Sequence, residues 1–597
     1  MSSDRSLRSS QLISPYGPGA IVDIGDESLL LTDLADWPRK LEPIDMPRLT
    51  SELRVRTLKA PPKNPDFGSP QKWDMIKAIR FPRWMFCPCC RRLEEWKNDT
   101  GLTHNGKPVC RNSDCKKRSL VPMRFVAACE SGHLADVPWN FWAHSGAGKK
   151  GSCKQSEARL FFRSDNSKGS GLDALYVECK ECKSKRNLGD IANPDALKSM
   201  NVKCQGSQPW EKWESCDSPL VVLQRGASNL YYAIVRSALD IPVGSGGGHG
   251  ASLLEDMKEH PLFSSCQSKM DQGKEAVARD LAEDIAADLE CSVDDVIAAM
   301  TVQDEEEGAR RIPDNEELQV AEWAVLSSAD VESLTNKNFV ARVEKDQPSH
   351  DWGLSKLISR VVLLEKLREV RAFCGYERVK PGVAVIPPAG RHNDITWLPA
   401  IQVFGEGIFI EFNQHALKEW EAKASGFIKN RIDPMSKKHS EGKVSYLPSP
   451  SSRLVLLHTF AHLLIRQLSF ECGYSSGSIR ERIYAEDGQA GVLIYTADSD
   501  SEGSLGGLVQ QGELKRLYPV IAAALDQASW CSNDPVCSEM ETQGVMGLNK
   551  AACHSCTLVS ETSCTMNNLL LDRKLLLGDE TGKGLFTEVL AHIKEGR

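Results

Sequence analysis

The chain has 597 residues and a formal net charge of −8 at pH 7, and 41% of its residues are hydrophobic. A chain of this length is too long for one hydrophobic core, so several domains are expected. The composition excludes a largely disordered protein. The acidic balance argues against a protein that coats nucleic acid through its overall electrostatic field.

The sequence has no apolar run of the roughly 18 residues that a membrane-spanning helix needs, and its first residues lack the apolar core of a secretory signal. We therefore expect a cytoplasmic protein with no membrane partner. The chain contains 20 cysteines. In a reducing compartment, clustered cysteines favour metal ligation over disulfide bonds.

Four regions follow one another along the chain. Residues 1–80 form an N-terminal lead-in, in which SPYGPGAIVDI predicts a glycine-proline turn before a strand. Residues 81–240 are a cysteine-rich zinc-binding region. Residues 241–350 contain the glycine-rich linker IPVGSGGGHG and an acidic region, where KEAVARDLAEDIAADLE predicts a helix.

Residues 351–597 form the fourth region. Here LSKLISRVVLLEKLREVRAF predicts a periodic helix, AIQVFGEGIFIEF a pair of strands around glycine turns, LVLLHTFAHLLIRQLSF a buried helix, and GVLIYT a strand. The expected fold class is multidomain α+β (mixed α/β) with several zinc-ribbon-like cysteine modules.

The first cysteine group has the spacing of a zinc ribbon. Cys87 and Cys90 form one CxxC pair, and Cys110 and Cys115 follow about 20 residues later. Two short loops of this kind aim four thiolates at one ion. Cys89 lies inside the first loop and could replace one neighbour.

A second zinc site is predicted around the CxxC pair Cys179 and Cys182. The spacing leaves its other two ligands open. The candidates are Cys153, Cys204, Cys216 and the pair Cys129 and His133, and a hydrogen-bonded structural role is an equal alternative for His133 and His144.

The third group lies near the end of the chain, in WCSNDPVC and AACHSCTLVSETSC. It has five cysteines, one more than a tetrahedral site uses. We predict Cys537, Cys553, Cys556 and Cys564 as ligands, with Cys531 as the alternate. A site closed by four thiolates leaves no position for water and is structural.

Two further groups of residues could support catalysis. His458 and His462 lie four residues apart on one helix face, as in zinc proteases, but Thr459 stands where those enzymes have the general-base glutamate. Asp498, Asp500 and Glu502 follow a strand and could hold Mg²⁺ for phosphodiester chemistry. The competing interpretation of the acids is a solvated turn.

The sequence contains no G-x-x-x-x-G-K-[ST] motif, so we do not expect NTP hydrolysis. Local basic strips are candidate phosphate contacts, although solvated faces explain most such strips. They include Lys429, Arg431, Lys437 and Lys438, the triplet Lys116, Lys117 and Arg118, and the group Arg368, Arg371, Arg378 and Lys380.

The C-terminal part contains LLHTFAHLLIRQL, SIRERIY, IYTADSDSEGSLGGL, WCSNDPVC and AACHSCTLVSETSC, which resemble the MrfA-like zinc-binding domain at the end of certain DNA helicases. The N-terminal part contains RSSQLISPYGPGAIVDI, FPRWMFCPCC, FVAACESGHLADVPW and LQRGASNLYY, which resemble the DrmB family of bacterial DISARM anti-phage systems.

The resemblance implies a zinc-binding protein without a motor of its own, which forms a complex with a DrmA-like helicase subunit and engages phage DNA. It places the cysteine tail on Cys537, Cys553, Cys556 and Cys564. We therefore expect a non-enzymatic DNA-binding subunit. The alternative is a metal-dependent nuclease or phosphohydrolase that uses Asp498, Asp500 and Glu502.

Overall fold

The computed structural model describes most of the chain. The described residues are 7–62, 75–97, 106–146, 153–154, 157–212, 215–242, 260–271, 274–289, 316–388, 396–442, 446–475, 477–496 and 507–596, together with a few single residues between these ranges. The linker IPVGSGGGHG falls mostly outside them.

The strands are short over the first half of the chain and include two long ones in the second half. They are β1 (Ile21–Ile24), β2 (Glu27–Leu31), β3 (Pro43–Ile44), β4 (Thr57–Lys59), β5 (Ala78–Arg80), β6 (Trp84–Phe86), β7 (Arg92–Glu95), β8 (Val121–Pro122), β9 (Phe125–Cys129), β10 (Leu134–Asp136), β11 (Leu160–Ser164), β12 (Leu175–Cys179), β13 (Lys185–Asn187), β14 (Ser207–Gln208), β15 (Glu211–Lys212), β16 (Leu220–Gln224), β17 (Tyr232–Leu239), β18 (Phe339–Val343), β19 (Ile358–Glu377), β20 (Trp397–Phe412), β21 (Ile479–Tyr484) and β22 (Gly491–Thr496).

The helices concentrate in the second half of the chain. They are α1 (Pro47–Glu52), α2 (Trp139–His144), α3 (Phe263–Asp271), α4 (Glu275–Asp288), α5 (Glu316–Leu326), α6 (Gln414–Lys423), α7 (Ser425–Gly442), α8 (Ser452–Cys472), α9 (Gly507–Gln511), α10 (Leu514–Gln527), α11 (Val536–Glu539), α12 (Arg573–Leu577) and α13 (Thr587–Glu595). The mixed helix and sheet fold class and the predicted helices over α4 and α8 are confirmed.

The chain folds as two compact units, each built from discontinuous segments. Unit 1 comprises Met1–Ile44, Thr57–Arg236 and Ala372–Ile401, and unit 2 comprises Asp45–Arg56, Ser237–Arg371 and Gln402–Arg597. The four-region division of the sequence stays a prediction.

Unit 1 contains several small antiparallel sheets, and a parallel pairing joins β4 to the first residues of β20. The largest has the order β13-β12-β11-β7-β6-β8, and a three-stranded sheet has the order β10-β9-β16. The residues that pack between them include the fully buried rings of Trp139 and Trp142 on α2, together with the cysteines Cys129, Cys179 and Cys204. Cysteine side chains therefore form part of this core.

Unit 2 is organised around α8. Ser451 caps the helix by accepting a hydrogen bond from the Leu454 amide, and Gly473 ends it in the left-handed conformation at φ 69°. Nearly every residue from Val455 to Leu468 is buried. A helix that is buried on every side belongs inside a core, and here it packs against β21, β22, α10 and α12.

The predicted helix over 354–373 is wrong, because most of this segment belongs to the strand β19, Ile358–Glu377. Long stretches of β19 are buried on both faces, so the strand lacks the alternation that marks a half-exposed strand. A continuous apolar run also has apolar residues at every third and fourth position, so it matches the pattern of a buried helix as well.

The predicted strand pair over 400–412 is also wrong, since β20 runs through both glycines as one strand. Both glycines allow the neighbouring strand β22 to approach β20 closely. A Cβ on Gly405 would lie 1.7 Å from the Thr496 carbonyl oxygen, and a Cβ on Gly407 would lie 3.0 Å from the Tyr495 side chain.

Among the described residues, none of the helices combines the length and the apolar character that a bilayer crossing requires.

Candidate metal centres

The Cys87 cluster (Cys87, Cys90, Cys110 and Cys115) lies at the end of the β6–β7 hairpin in unit 1. Its four sulfurs all lie within 4.8 Å of one another. Arg91 closes the first loop at φ 64° and donates its amide to the Cys87 carbonyl. Cys89 is exposed and does not belong to the cluster, so the structure favours the CxxC assignment.

The His144 cluster (His144, Cys153, Cys179 and Cys182) joins α2 to the end of β12 in unit 1. The Cys153 sulfur lies 3.4 Å from His144 Nε2 and 3.7 Å from the Cys179 sulfur. His144 Nδ1 is 2.6 Å from the Asn140 carbonyl oxygen, and donation there leaves the Nε2 lone pair directed at the thiols. The structure thus places Cys153, one of the candidates, beside the Cys179 and Cys182 pair, together with His144, which was not among the candidates for this site.

The Cys129 cluster (Cys129, His133, Cys204 and Cys216) is a separate set in unit 1, although the sequence left these residues as alternates for one site. Cys129 ends β9 and lies 3.4 Å from His133 Nδ1 and 3.7 Å from the Cys204 sulfur. The spacing of the cysteines along the sequence could not assign these ligands to two separate sites. The fold brings together Cys129 and Cys204, which are 75 residues apart in the chain.

The Cys531 cluster (Cys531, Cys537, Cys553 and Cys556) lies in unit 2. Its sulfurs are separated by 3.5 Å for Cys531 and Cys553, and by 3.8 Å for Cys537 and Cys556. These separations are too long for disulfide bonds. They match the edge of a tetrahedron with zinc–sulfur bonds of about 2.3 Å, which is roughly 3.8 Å.

The assignment of Cys564 to this cluster requires correction, because the structure places Cys531 there. The Cys564 sulfur lies elsewhere in unit 2, 3.2 Å from His458 Nε2. The segment after Cys556 turns away, and Cys564 accepts hydrogen bonds from the amides of Met566 and Asn568. Nothing in the spacing of five cysteines encodes that turn.

Each of the four clusters contains at least one thiol with a lowered pKa, and the Cys129 cluster contains two, Cys129 and Cys216. Hydrogen bonds from Cys204 and His133 lower the pKa of Cys129 to about 4. In the other clusters burial raises the thiol pKa, but hydrogen bonds from neighbouring groups outweigh it. The net result is a pKa below the ordinary range for Cys87 and a pKa of about 6 for Cys182 and Cys553. Ionised thiolates are the form that binds metal.

His458 and His462, predicted as a pair on one helix face, lie one turn apart on α8 with their ring centroids 4.5 Å apart. Both are fully buried. Thr459, in the position of a metalloprotease glutamate, donates to the Val455 carbonyl and accepts from the Asp572 amide. It has a structural role.

Sequence reasoning missed Glu481, whose carboxylate lies 3.1 Å from His458 Nε2 and 3.4 Å from His462 Nε2. The signal was present, because Ile479, Glu481 and Ile483 share one face of β21 and all three are buried. An acidic residue on the apolar face of a strand requires a partner.

The acids Asp498, Asp500 and Glu502 lie outside the described residues. The described chain resumes at α9, whose first residues bind Glu406, since its buried carboxylate accepts hydrogen bonds from the amides of Leu508 and Val509.

The predicted DNA contacts on α7 separate into two kinds. Lys429 is exposed, and Lys437 and Lys438 are exposed with their ammonium groups 4.0 and 3.2 Å from Glu441. Arg431 does not fit a DNA contact, because its buried guanidinium donates to both oxygens of Asp572 at 2.6 and 2.7 Å. Arg378, in another basic strip, is also buried, and it donates to three backbone carbonyls.

Comparison with known proteins agrees with this geometry. Residues 460–557 match the family described as the MrfA Zn-binding domain, and residues 8–232 match a family described as a domain of unknown function (DUF8724). The MrfA match contains all four ligands of the Cys531 cluster. The donor sets and the family match together establish zinc as the cofactor.

The chain is also 35% identical over 531 residues to a protein of Bacillus paralicheniformis named DISARM protein DrmB, covering 84% of this chain and 89% of that relative. An identity at this level over nearly the whole length of both proteins shows common descent. The chain therefore belongs to the DrmB family of DISARM proteins.

Proposed function

We propose that this protein is a zinc-containing, non-enzymatic subunit of a bacterial DISARM system that pairs with a superfamily 2 helicase of the DrmA type and helps it engage phage DNA. The observation that carries the proposal is the 35% identity over 84% of the chain to a DISARM protein DrmB.

The chemistry of the zinc centres supports a structural role for the metal. In each of the Cys87, His144, Cys129 and Cys531 clusters the protein supplies four donors, so a tetrahedral zinc ion has no position left for water or substrate. The sequence also lacks an NTP-binding P-loop. Work on DNA therefore falls to the partner helicase.

A DNA surface on this chain has to come from a local basic strip, because the net charge is −8. The triplet Lys116, Lys117 and Arg118 is exposed and follows directly on Cys115. Lys116 and Lys117 adopt positive φ of 49° and 55°. The metal-bound loop thus presents three cations on a fixed backbone, a suitable arrangement for binding phosphates.

Copurification and assays with the helicase test the proposal. We expect the isolated chain to show no ATP hydrolysis, and the complex to bind DNA more tightly than the helicase alone, with an affinity that falls as salt rises. ATP turnover by the isolated chain, or a helicase whose DNA affinity does not change when this chain is added, would contradict it.

Two matched variants test where the DNA lies. Each removes three exposed cations: K116Q/K117Q/R118Q beside the Cys87 cluster and K429Q/K437Q/K438Q on α7. We expect the first to weaken DNA binding by the complex and to reduce its log–log salt slope by roughly 0.9 for each phosphate that is no longer neutralised. A greater weakening in the α7 variant would assign the surface to α7 instead.

The nuclease alternative is tested by incubating the protein with DNA and Mg²⁺ or Mn²⁺. The proposal predicts intact DNA. Cleavage that disappears in D498A and D500A would replace it with metal-dependent phosphodiester chemistry.

A further inference from the structure

A fifth group of metal-ligand side chains lies in the core of unit 2, apart from the Cys531 cluster. The His458 cluster consists of His458 and His462 on α8, Glu481 on β21, and Cys564. One donor atom from each residue lies within 4.8 Å of the other three. The two imidazoles and the carboxylate have no exposed surface, and Cys564 is 8% exposed.

The orientation of both imidazoles is fixed from outside the cluster. His458 Nδ1 lies 3.3 Å from the Leu570 carbonyl oxygen, and His462 Nδ1 lies 3.2 Å from the Thr557 carbonyl oxygen. Donation to these oxygens sets the proton on Nδ1 and turns both Nε2 lone pairs toward Glu481 and Cys564. Histidine ligands of metal ions are held in this way.

The thiol is prepared in a similar manner. The Cys564 sulfur accepts amide hydrogen bonds from Met566 at 3.3 Å and Asn568 at 3.2 Å. These two amide donors place the sulfur 3.2 Å from His458 Nε2 and would stabilise a metal-bound thiolate there.

Two atoms of the cluster lack a hydrogen-bond partner within the described part of the chain. They are Nε2 of His462 and Oε2 of Glu481, both buried. Buried polar atoms are almost always satisfied, so each unsatisfied one requires an explanation. Both imidazole Nε2 atoms face the same Glu481 oxygen, at 3.1 Å from His458 and 3.4 Å from His462, and a cation within the cluster would give all four side chains a partner.

The charge also favours a divalent cation. When the Cys564 thiol gives up its proton on binding a metal, the carboxylate and the thiolate beside two neutral imidazoles supply two negative charges, which balance the charge of a divalent cation in a buried site. A mixed nitrogen, oxygen and sulfur donor set with four protein ligands suits zinc.

We propose that His458, His462, Glu481 and Cys564 bind a further zinc ion, in addition to the four zinc ions of the Cys87, His144, Cys129 and Cys531 clusters. The site is closed and buried, so its role is structural: it fastens α8 to β21 and to the segment that follows the Cys531 cluster. The matched MrfA range, 460–557, includes His462 and Glu481 but neither His458 nor Cys564.

Zinc content measured by mass spectrometry on the purified chain tests the proposal. We expect five zinc ions per chain, and one fewer in His462→Gln and in Cys564→Ser. His554→Gln is the matched control, because His554 is an exposed histidine between the ligands Cys553 and Cys556 and should keep all five. The double variant C553S/H462Q should lose two zinc ions, one from each independent site.

A wild-type chain with four zinc ions, unchanged in His462→Gln, would overturn the proposal. A measurement on the wild type alone decides the case if the variants do not fold. With five sites filled, 15 of the 20 donors to zinc are sulfur, whereas with the His458 cluster empty 14 of 16 are. X-ray absorption at the zinc edge should therefore give an average of three sulfur donors per zinc, and an average of three and a half would refute the fifth site.

Discussion

Two basic residues six positions apart in α7, Arg431 and Lys437, have opposite surroundings. The Lys437 side chain is 75% exposed, while the Arg431 side chain is 10% exposed and pairs with Asp572, whose side chain is fully buried. The sequence KNRIDPMSKK offers no way to distinguish them, because the partner of Arg431 lies 141 residues later. Burial of a charge is decided by tertiary contacts.

Substitution of Arg431 should therefore affect folding stability rather than DNA binding. In Arg431→Met the Asp572 carboxylate is left buried without its cation, which costs about 3–5 kcal/mol of the free energy of unfolding. Urea unfolding followed by circular dichroism measures this loss.

Two further variants control the measurement. Lys437→Met removes an exposed cation from the same helix and should stay within about 0.5 kcal/mol of the wild type. The double variant R431M/D572N should lose less than the sum of the single losses, since it removes both charges together. An Arg431→Met variant as stable as Lys437→Met would show that the pair does not stabilise the fold.

At the scale of elements, the sequence predicted segments well where their pattern had one interpretation. The apolar run LVLLHTFAHLLIRQLSF predicted α8, and the CxxC spacing predicted the Cys87 and Cys90 pair of the Cys87 cluster. Prediction failed for β19, which is apolar on both faces, and for Gly405, where glycine serves a close approach rather than a turn. It also failed for Cys564 and Glu481, because ligands on different elements meet only through the tertiary fold.

The turn before β1 shows how closely one element is fitted to its neighbours. Gly19 adopts φ +82°, and its carbonyl accepts a hydrogen bond from Arg378 at 2.7 Å. A Cβ at Gly19 would lie 2.4 Å from the Tyr376 ring. Gly25, at the other end of β1, has φ +64° but no atom within 4 Å of its Cβ position.

The two glycines therefore form a matched pair of alanine substitutions. Gly25→Ala should cost only the left-handed backbone conformation, about 1 kcal/mol of the free energy of unfolding. Gly19→Ala should cost a further 1–3 kcal/mol or so, because the ring of Tyr376 has to move. Thermal unfolding of both variants measures the difference, and equal losses would mean that the turn accommodates a methyl group.

At the scale of the whole molecule, zinc and apolar packing are distributed unequally between the two units. In unit 1 three clusters join short strands, and ligands such as Cys129 and Cys179 are themselves core residues. In unit 2 an extensive apolar core surrounds α8, with residues from β19, β20, β22 and α10. The free energy of zinc binding is thus a larger share of the folding free energy in unit 1.

Removal of zinc should consequently unfold unit 1 before the centre of unit 2. Structural zinc binding contributes on the order of 10–16 kcal/mol in small zinc domains, which is more than the small sheets of unit 1 can replace by apolar burial. We expect hydrogen exchange measured by mass spectrometry, at rising chelator concentration, to show early loss of protection in β9, β11 and β12. The strands β20 and β22 should stay protected at the same concentration, because their order depends on apolar packing.

Chelator saturated with zinc is the control and should leave both sets of strands protected. If β20 and β22 lost protection together with β11 and β12, zinc would stabilise both units to a similar degree.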